Sequence, residues 1–80
     1  MAKTTCPGTE YDKAIADYNQ AIQINPQDAE TYFHRAIVYS VLGNLKQTQT
    51  DLQHSAHLFQ EQKNPEGYQR AINALKRFSK

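Results

Sequence analysis

Apolar residues recur along this chain at the spacing of an α-helix in four successive segments. In the first segment they recur at positions i, i+3, i+4, i+7, i+10 and i+11: Tyr11, Ala14, Ile15, Tyr18, Ala21 and Ile22. Such a stripe is one face of an amphipathic helix. Thr9 is its predicted N-cap, because a threonine hydroxyl can accept a hydrogen bond from a free N–H of the first turn. Pro26 disfavours helical geometry at the preceding residue, so this helix is predicted to end at Asn25.

A second helix is predicted to begin after Asp28, which can cap it, and to end at Gly43-Asn44, which suits the left-handed geometry of a helix end. Its apolar face comprises Tyr32, Ala36, Tyr39 and Leu42. A third helix is predicted from about Leu45 to Gln60. Its apolar or small face comprises Leu45, Thr48, Leu52, Ser55, Ala56, Leu58 and Phe59.

A fourth helix is predicted after the KNPEG turn, with Asn64 as N-cap and Pro65 at the first helical position. Its apolar face comprises Tyr68, Ala71, Ile72, Leu75 and Phe78. No segment alternates with a period of two, so no strand is predicted. Four short helices joined by tight turns indicate an all-α fold of antiparallel helix-turn-helix pairs.

The composition indicates one small domain without a strong electrostatic partner. The chain has 80 residues and a formal net charge of +1, which gives no general case for nucleic acid or membrane binding. The charge is uneven: residues 1–62 carry four Lys/Arg against seven Asp/Glu, and residues 63–80 carry five against one. The body is therefore acidic by −3 and the C-terminal end basic by +4.

Cys6 is the only cysteine, which excludes an internal disulfide and a cysteine metal cluster. We expect it to be an exposed and inert thiol. The first residues contain no apolar leader, and no apolar run approaches the ~18 residues of a membrane span. These features favour a cytoplasmic protein, without cofactors.

The sequence also repeats. A shift of 34 places the first helix on the third, with Tyr18 on Leu52 and Ala21 on Ser55, and a shift of 36 places the second helix on the fourth, with Tyr32 on Tyr68. Paired helices with a period near 34 are typical of tetratricopeptide repeats.

The chain resembles that family at particular residues. The family's inner helix (helix A) carries an aromatic, a leucine, a glycine and a tyrosine, where this chain has Tyr32, Arg35, Ala36 and Tyr39. The outer helix (helix B) carries an alanine, an aromatic, a small residue and a proline, where this chain has Ala14, Tyr18, Ala21 and Pro26. A second, weaker copy of helix B reads Thr48, Leu52, Ser55 and Gln60.

The resemblance implies a right-handed α-solenoid fragment of four helices that forms the C-terminal part of a tetratricopeptide array. Residues 1–8 are then a flexible N-terminal arm, residues 9–62 a helix B followed by one full A–B repeat, and residues 63–80 a C-terminal capping helix. The first helix has no preceding helix A. We therefore hypothesise that its apolar face is covered by another chain, most simply in a homodimer. The alternative is that the chain is the last piece of a longer array. The self-association residues would be Tyr11, Ile15, Tyr18 and Ile22.

In this family the inner helices line a concave groove that holds peptides. The resemblance implies a protein–protein interaction module that binds a peptide or partner helix through that groove. The lining residues would be Phe33, His34, Ile37, Ser40 and Val41. Packing of Phe33 and Ile37 on neighbouring helices is the alternative. Many family members contact a peptide's terminal carboxylate through an asparagine at the position of His34, so the apolar lining here favours a hydrophobic peptide segment.

No catalytic constellation is present. Asp51, His54 and His57 are spaced along the third helix, but they turn around its axis and do not converge, so no metal site is predicted. In the family pattern these positions face solvent. The basic end, which contains Arg70, Lys76, Arg77 and Lys80, is explained by the preference for cations at a helix C-terminus. The alternatives for this end are an acidic or RNA ligand, or head-to-tail stacking on the acidic body.

Overall fold

The computed structural model describes residues 7–78, with side chains described from Glu10 onward. Within that range it contains four helices and no strand: α1 (Pro7–Ile24), α2 (Ala29–Val41), α3 (Leu45–Glu61) and α4 (Pro65–Phe78). The predicted all-α fold of paired helices is confirmed, and α3 and α4 begin at the predicted residues.

The start of α1 differs from the prediction. The helix begins at Pro7, so Thr9 lies inside it and is not its N-cap. Proline suits the first helical position because its φ is already helical and its missing N–H would have no partner there. Pro7 and Gly8, assigned to the arm from the sequence, are therefore helical. The rest of the arm and Cys6 lie outside the described residues.

The connection between α1 and α2 forms as the sequence indicates. The N–H of Asn25 donates to the carbonyl of Ala21 at 2.8 Å, which completes the last turn of α1. The Asp28 side chain accepts from the N–H of Thr31 at 3.4 Å and caps α2.

The turn between α2 and α3 is a Schellman motif. Gly43 has φ of +85°, the left-handed geometry that glycine adopts without strain. The N–H groups of Gly43 and Asn44 donate to the carbonyls of Ser40 at 3.1 Å and Tyr39 at 2.9 Å. The Asn44 side chain then accepts from the N–H of Gln47 and caps α3.

The turn between α3 and α4 repeats this motif with a different residue at the left-handed position. Lys63 has φ of +57°, and the N–H of Asn64 donates to the carbonyl of Phe59 at 2.9 Å. The Asn64 side chain accepts from the N–H of Gly67 at 3.0 Å, so it caps α4 as predicted. Both turns therefore bring adjacent helices back antiparallel.

The core lies between α2, α3 and α4. Its buried apolar residues are Ala29, Tyr32, Ala36, Leu52, Ala56, Leu58, Phe59 and Ala71. The Phe59 ring lies so close to Gly67 that a side chain there would collide with it. Leu42 and Leu45, which the sequence places on apolar faces, flank the α2–α3 turn and are exposed.

Two buried hydroxyl groups stand where helix B of the family pattern has an alanine, at Thr48, and a small residue, at Ser55. Thr48 and Ser55 are completely buried on α3. The Thr48 hydroxyl donates to the carbonyl of Asn44 at 2.9 Å, and the Ser55 hydroxyl donates to the carbonyl of Ala29 at 3.0 Å. These bonds offset the cost of burying the polar atoms, and the Ser55 bond fixes the start of α2 against the middle of α3.

Candidate functional site

The best candidate for a binding site is a groove of about 390 Å³ between α2 and α4. Its walls come from two helices that occupy equivalent positions in the repeat. The lining residues are Phe33 and Ile37 from α2, with Arg70, Asn73, Ala74, Arg77 and Phe78 from α4. The groove thus combines large apolar surfaces with two guanidinium groups.

Two of the five groove residues predicted from the sequence, Phe33 and Ile37, line this groove. His34, Ser40 and Val41 are not among its lining residues. The Ser40 hydroxyl donates to the carbonyl of Ile37 at 2.6 Å, and Val41 is 55% exposed near the end of α2. Phe33 also packs against the core, which agrees with the alternative that it is partly structural.

His34 faces α1. Its ring lies 6.2 Å from the Tyr18 ring, centroid to centroid, in a stacked arrangement. Its Nε2 lies 3.5 Å from a carboxylate oxygen of Glu30, one turn earlier on α2. His34 therefore lies between α1 and the groove.

The basic helix and the groove form one surface, although in the sequence they are two separate features. The Arg70 guanidinium lies 5.1 Å from the centroid of the Phe33 ring, a cation–π geometry, and its Nη2 contacts Glu30 at 2.8 Å. A signal for this arrangement was present in the sequence. The shift of 36 that places Tyr68 on Tyr32 also places Arg70 on His34 and Arg77 on Val41.

The predicted self-association face of α1 is partly covered within the chain. All four of its residues are half-buried: Tyr11, Ile15, Tyr18 and Ile22. Ile22 packs against the core, and Tyr18 stacks on His34 of α2. Helix α2 thus covers part of the apolar face for which we expected a second chain.

Asp51 is buried, contrary to the expectation that it faces solvent. Its side chain is 2% exposed, and both of its oxygens accept hydrogen bonds from Arg35, from Nε and Nη2, at 2.8 Å each. The remaining Arg35 nitrogen, Nη1, donates to the side-chain oxygen of Asn19 on α1 at 2.6 Å. Arg35 occupies the family's leucine position, and here it joins three helices through polar contacts.

The bonds to Asp51 raise the pKa of Arg35 above its usual value, against the opposing effect of burial. The guanidinium also lies over the rings of Tyr32 and Tyr39, at 5.4 and 5.8 Å from their centroids. The Arg35 guanidinium and the Asp51 carboxylate therefore lie within the helix packing, and each group has a specific partner.

The two histidines that follow Asp51 on α3 have separate partners. The His54 ring stacks on Tyr32 at 4.1 Å between centroids, and His57 lies 3.0 Å from Glu61. Among residues 7–78, no group of three or more His, Cys, Asp or Glu side chains could hold a metal ion. In the same part of the chain, no helix combines the length and apolar character needed to cross a membrane.

Comparisons with known proteins agree with this architecture. The family model described as a TPR (tetratricopeptide) repeat matches residues 10–43, which span most of α1, all of α2 and the start of the turn that follows. The Hsp70-Hsp90 organizing protein of Triticum aestivum is 50% identical over 34 residues, which are 42% of this chain and 6% of the wheat protein. No solved structure matched the chain. Tetratricopeptide repeats are non-catalytic scaffolds that generally mediate protein–protein interaction. Residues 10–43 therefore belong to the tetratricopeptide-repeat family, and the four paired helices have the all-α fold of that family.

Proposed function

We propose that this chain is a protein–protein interaction module that binds a peptide segment of its partner in the groove between α2 and α4. The observation that carries the proposal is the composition of that groove. Phe33, Ile37 and Phe78 offer apolar surface to large side chains, and Asn73 and the arginines offer hydrogen-bond donors to a peptide backbone. We propose no catalytic role for this chain.

A random peptide library displayed on phage tests the groove without knowledge of the partner. We expect selection on the intact chain to enrich related sequences. Ile37→Asp should abolish capture of the enriched peptides, because Ile37 lines the groove and is 37% exposed, so its substitution puts a carboxylate there with little damage to the core. Phe33→Asp should do the same, and circular dichroism decides whether that variant is still folded.

Val41→Asp is the matched control. Val41 lies on the same helix as Ile37 but outside the groove lining, and it is more exposed. The control should retain capture. Equal capture by Ile37→Asp and the unchanged chain would refute the groove as the binding site, and so would a library that yields no enriched peptide.

Self-association through α1 is a second candidate. It is favoured by the four large side chains of this face that α2 leaves half exposed: Tyr11, Ile15, Tyr18 and Ile22. Sedimentation equilibrium should show a concentration-dependent dimer that Ile15→Asp converts to a folded monomer. A folded monomer in the unchanged chain at all concentrations would refute it.

The wheat relative is named for organizing Hsp70 and Hsp90. The shared segment is a small part of that protein, so its name does not identify the partner of this chain. We describe the partner only by the chemistry of the groove.

A further inference from the structure

Helix α3 is flanked by both α2 and α4, whereas α1 packs mainly against α2. The burial of equivalent residues shows the difference. The shift of 34 places Ile24 on Leu58. Leu58 is 4% exposed in the core, but Ile24 is 80% exposed, more than any other large apolar side chain of the described residues. The same shift places Tyr18, which is half-buried, on Leu52, which is completely buried. In the described part of the chain, α1 therefore has a face without the neighbour that α2 provides for α3.

Helix α4 has a matching uncovered face. The shift of 36 places Tyr32 on Tyr68 and Ala36 on Ile72. Tyr32 and Ala36 are buried where α3 packs against α2, but Tyr68 and Ile72 are only half-buried. Beside Tyr68 lies a pocket of about 270 Å³ whose lining atoms are mostly apolar. The residues that line this pocket are Gln60, Lys63, Asn64, Pro65 and Tyr68.

The repeat relates the exposed side chain of α1 to the pocket beside α4. Leu58 of α3 lies in the same buried cluster as Tyr32 of α2. Ile24 is the equivalent of Leu58, and Tyr68 is the equivalent of Tyr32. An α1 that packed against α4 as α3 packs against α2 would therefore bring Ile24 to the pocket at Tyr68. Within one chain α1 packs against α2, so the α1 that reaches this pocket belongs to a second copy.

The charges of the two helices favour α4 over another α1 as the surface that α1 contacts. Helix α1 carries three Asp/Glu against one lysine, and α4 carries three Lys/Arg against one glutamate. Antiparallel packing, as between α2 and α3, places Glu10 and Asp12 at the start of α1 beside Lys76 and Arg77 in the last turn of α4. All four side chains are exposed. Opposite charges therefore meet when α1 contacts α4, whereas like charges meet when two α1 helices contact each other.

We propose that α1 of one copy packs against α4 of a second copy, in the position that α3 takes against α2, with Ile24 in the pocket at Tyr68. This inference rests on the self-association proposed above and identifies its second surface. The dimer is the first step. Each dimer keeps an uncovered α1 at one end and an uncovered α4 at the other, so the contact does not close and association continues beyond two copies.

Sedimentation equilibrium of the full chain over a range of concentrations tests the contact. We expect dimers and then larger species, and weaker association as salt is raised from about 0.05 to 0.5 M. Ile24→Asp should weaken association about tenfold or more, because it brings a carboxylate to an apolar pocket. Gln23→Asp is the matched control. It adds the same charge in the same turn, and its equivalent His57 stays exposed although α3 is flanked on both sides. The control should change association less than about twofold.

A second variant tests the surface at α4. Gln60→Glu combined with Lys76→Glu puts a charge at the pocket and reverses one in the last turn of α4. Both positions are exposed, so circular dichroism should show an unchanged fold. Alone, this variant should associate about tenfold more weakly. Mixed with Ile24→Asp, it should form a 1:1 dimer that grows no further, because one variant supplies an intact α1 and the other an intact α4.

The outcomes separate this inference from the proposed self-association. A folded monomer of the unchanged chain at all concentrations overturns both and leaves peptide capture in the groove unaffected. Full association of the α4 variant, with loss of association in Ile24→Asp, shows that two α1 faces meet; it overturns this inference and retains self-association. Equal effects of Ile24→Asp and Gln23→Asp overturn the contact of Ile24 with the pocket.

Discussion

We expect a large loss of stability when Arg35 is replaced by leucine, the residue that the family pattern has at this position. The loss follows because the substitution breaks the Arg35–Asp51 ion pair. Arg35→Leu removes both hydrogen bonds that the Asp51 carboxylate receives at 2.8 Å. The remaining side-chain donor to that carboxylate is the Gln47 amide at 3.5 Å, at the limit of a hydrogen bond. Asp51 is 2% exposed, so its charge would stay in the packed interior with little solvation.

Breaking a buried ion pair by removing one partner costs about 3–5 kcal/mol. The Arg35 side chain is 15% exposed, so some water can reach the site once it is removed, and the lower end, about 3 kcal/mol, is expected. A domain of this size has a total stability of about 4–12 kcal/mol. The midpoint of thermal unfolding should therefore fall by about 12–24 °C.

Urea and thermal unfolding followed by circular dichroism measure this effect, and Arg70→Leu is the matched control. The Arg70–Glu30 contact has the same 2.8 Å distance, but both side chains are about half exposed. Its loss should cost less than about 1 kcal/mol, because exposed ion pairs contribute little. Asp51→Asn added to Arg35→Leu should recover part of the lost stability, since a buried neutral amide costs less than a buried charge.

The pH dependence follows from the raised pKa of Arg35. A group whose pKa is higher in the folded state adds stability that is complete below its unfolded pKa and disappears as the pH rises through the folded value. For arginine this window lies in strong alkali, so the guanidinium should cause no change in stability between about pH 6 and pH 9.

A free energy of unfolding for Arg35→Leu within about 0.5 kcal/mol of the unchanged chain, which is the scatter of neutral surface substitutions, would show that the buried ion pair contributes little. An equal loss of stability in Arg70→Leu would show that burial of the ion pair does not decide the effect.

Four further substitutions test the packing, the turns and a helix cap, each by the midpoint of urea unfolding. Gly67→Ala should destabilise by about 1–3 kcal/mol despite the better helix propensity of alanine, because the new Cβ would collide with the Phe59 ring; a gain in stability would contradict this packing. Lys63→Gly should stabilise by about 0.5 kcal/mol and Gly43→Ala should destabilise by about 1 kcal/mol, because both positions are left-handed; effects of opposite sign would refute the shared turn geometry. Asp28→Ala should cost about 1 kcal/mol through loss of the α2 cap, and no change would show that the cap contributes nothing.

Most of the helix limits could be predicted because local chemistry determines them. Asp28 and Asn64 cap helices through their own side chains, and Gly43 adopts a left-handed conformation that depends little on distant residues. The start of α1 was missed because Thr9 and Pro7 are both acceptable at a helix N-terminus, and the choice between them is small in energy.

The burial of Asp51 and the composition of the groove could not be predicted from helix periodicity alone. Periodicity assigns a charged residue to the solvent face, and it carries no information about which face meets another helix. The position of the turn, taken together with periodicity, does predict the Arg35–Asp51 pair. Because α2 and α3 run antiparallel from the turn at Gly43, residues equally far from Gly43 lie opposite each other, and Arg35 and Asp51 satisfy that condition.

The Arg35 contacts also bear on the curvature of the helical array. Apolar side chains tolerate sliding and rotation of one helix past another, because contact between them has little directional preference. A guanidinium bound through two parallel hydrogen bonds to Asp51 and a third to Asn19 accepts only a narrow range of angles. These directional bonds therefore constrain the angles at which α1 and α3 cross α2. In a superhelix, small changes in such angles accumulate from one helix to the next, so a single arginine in place of leucine can fix the pitch of the surface on which a partner lies.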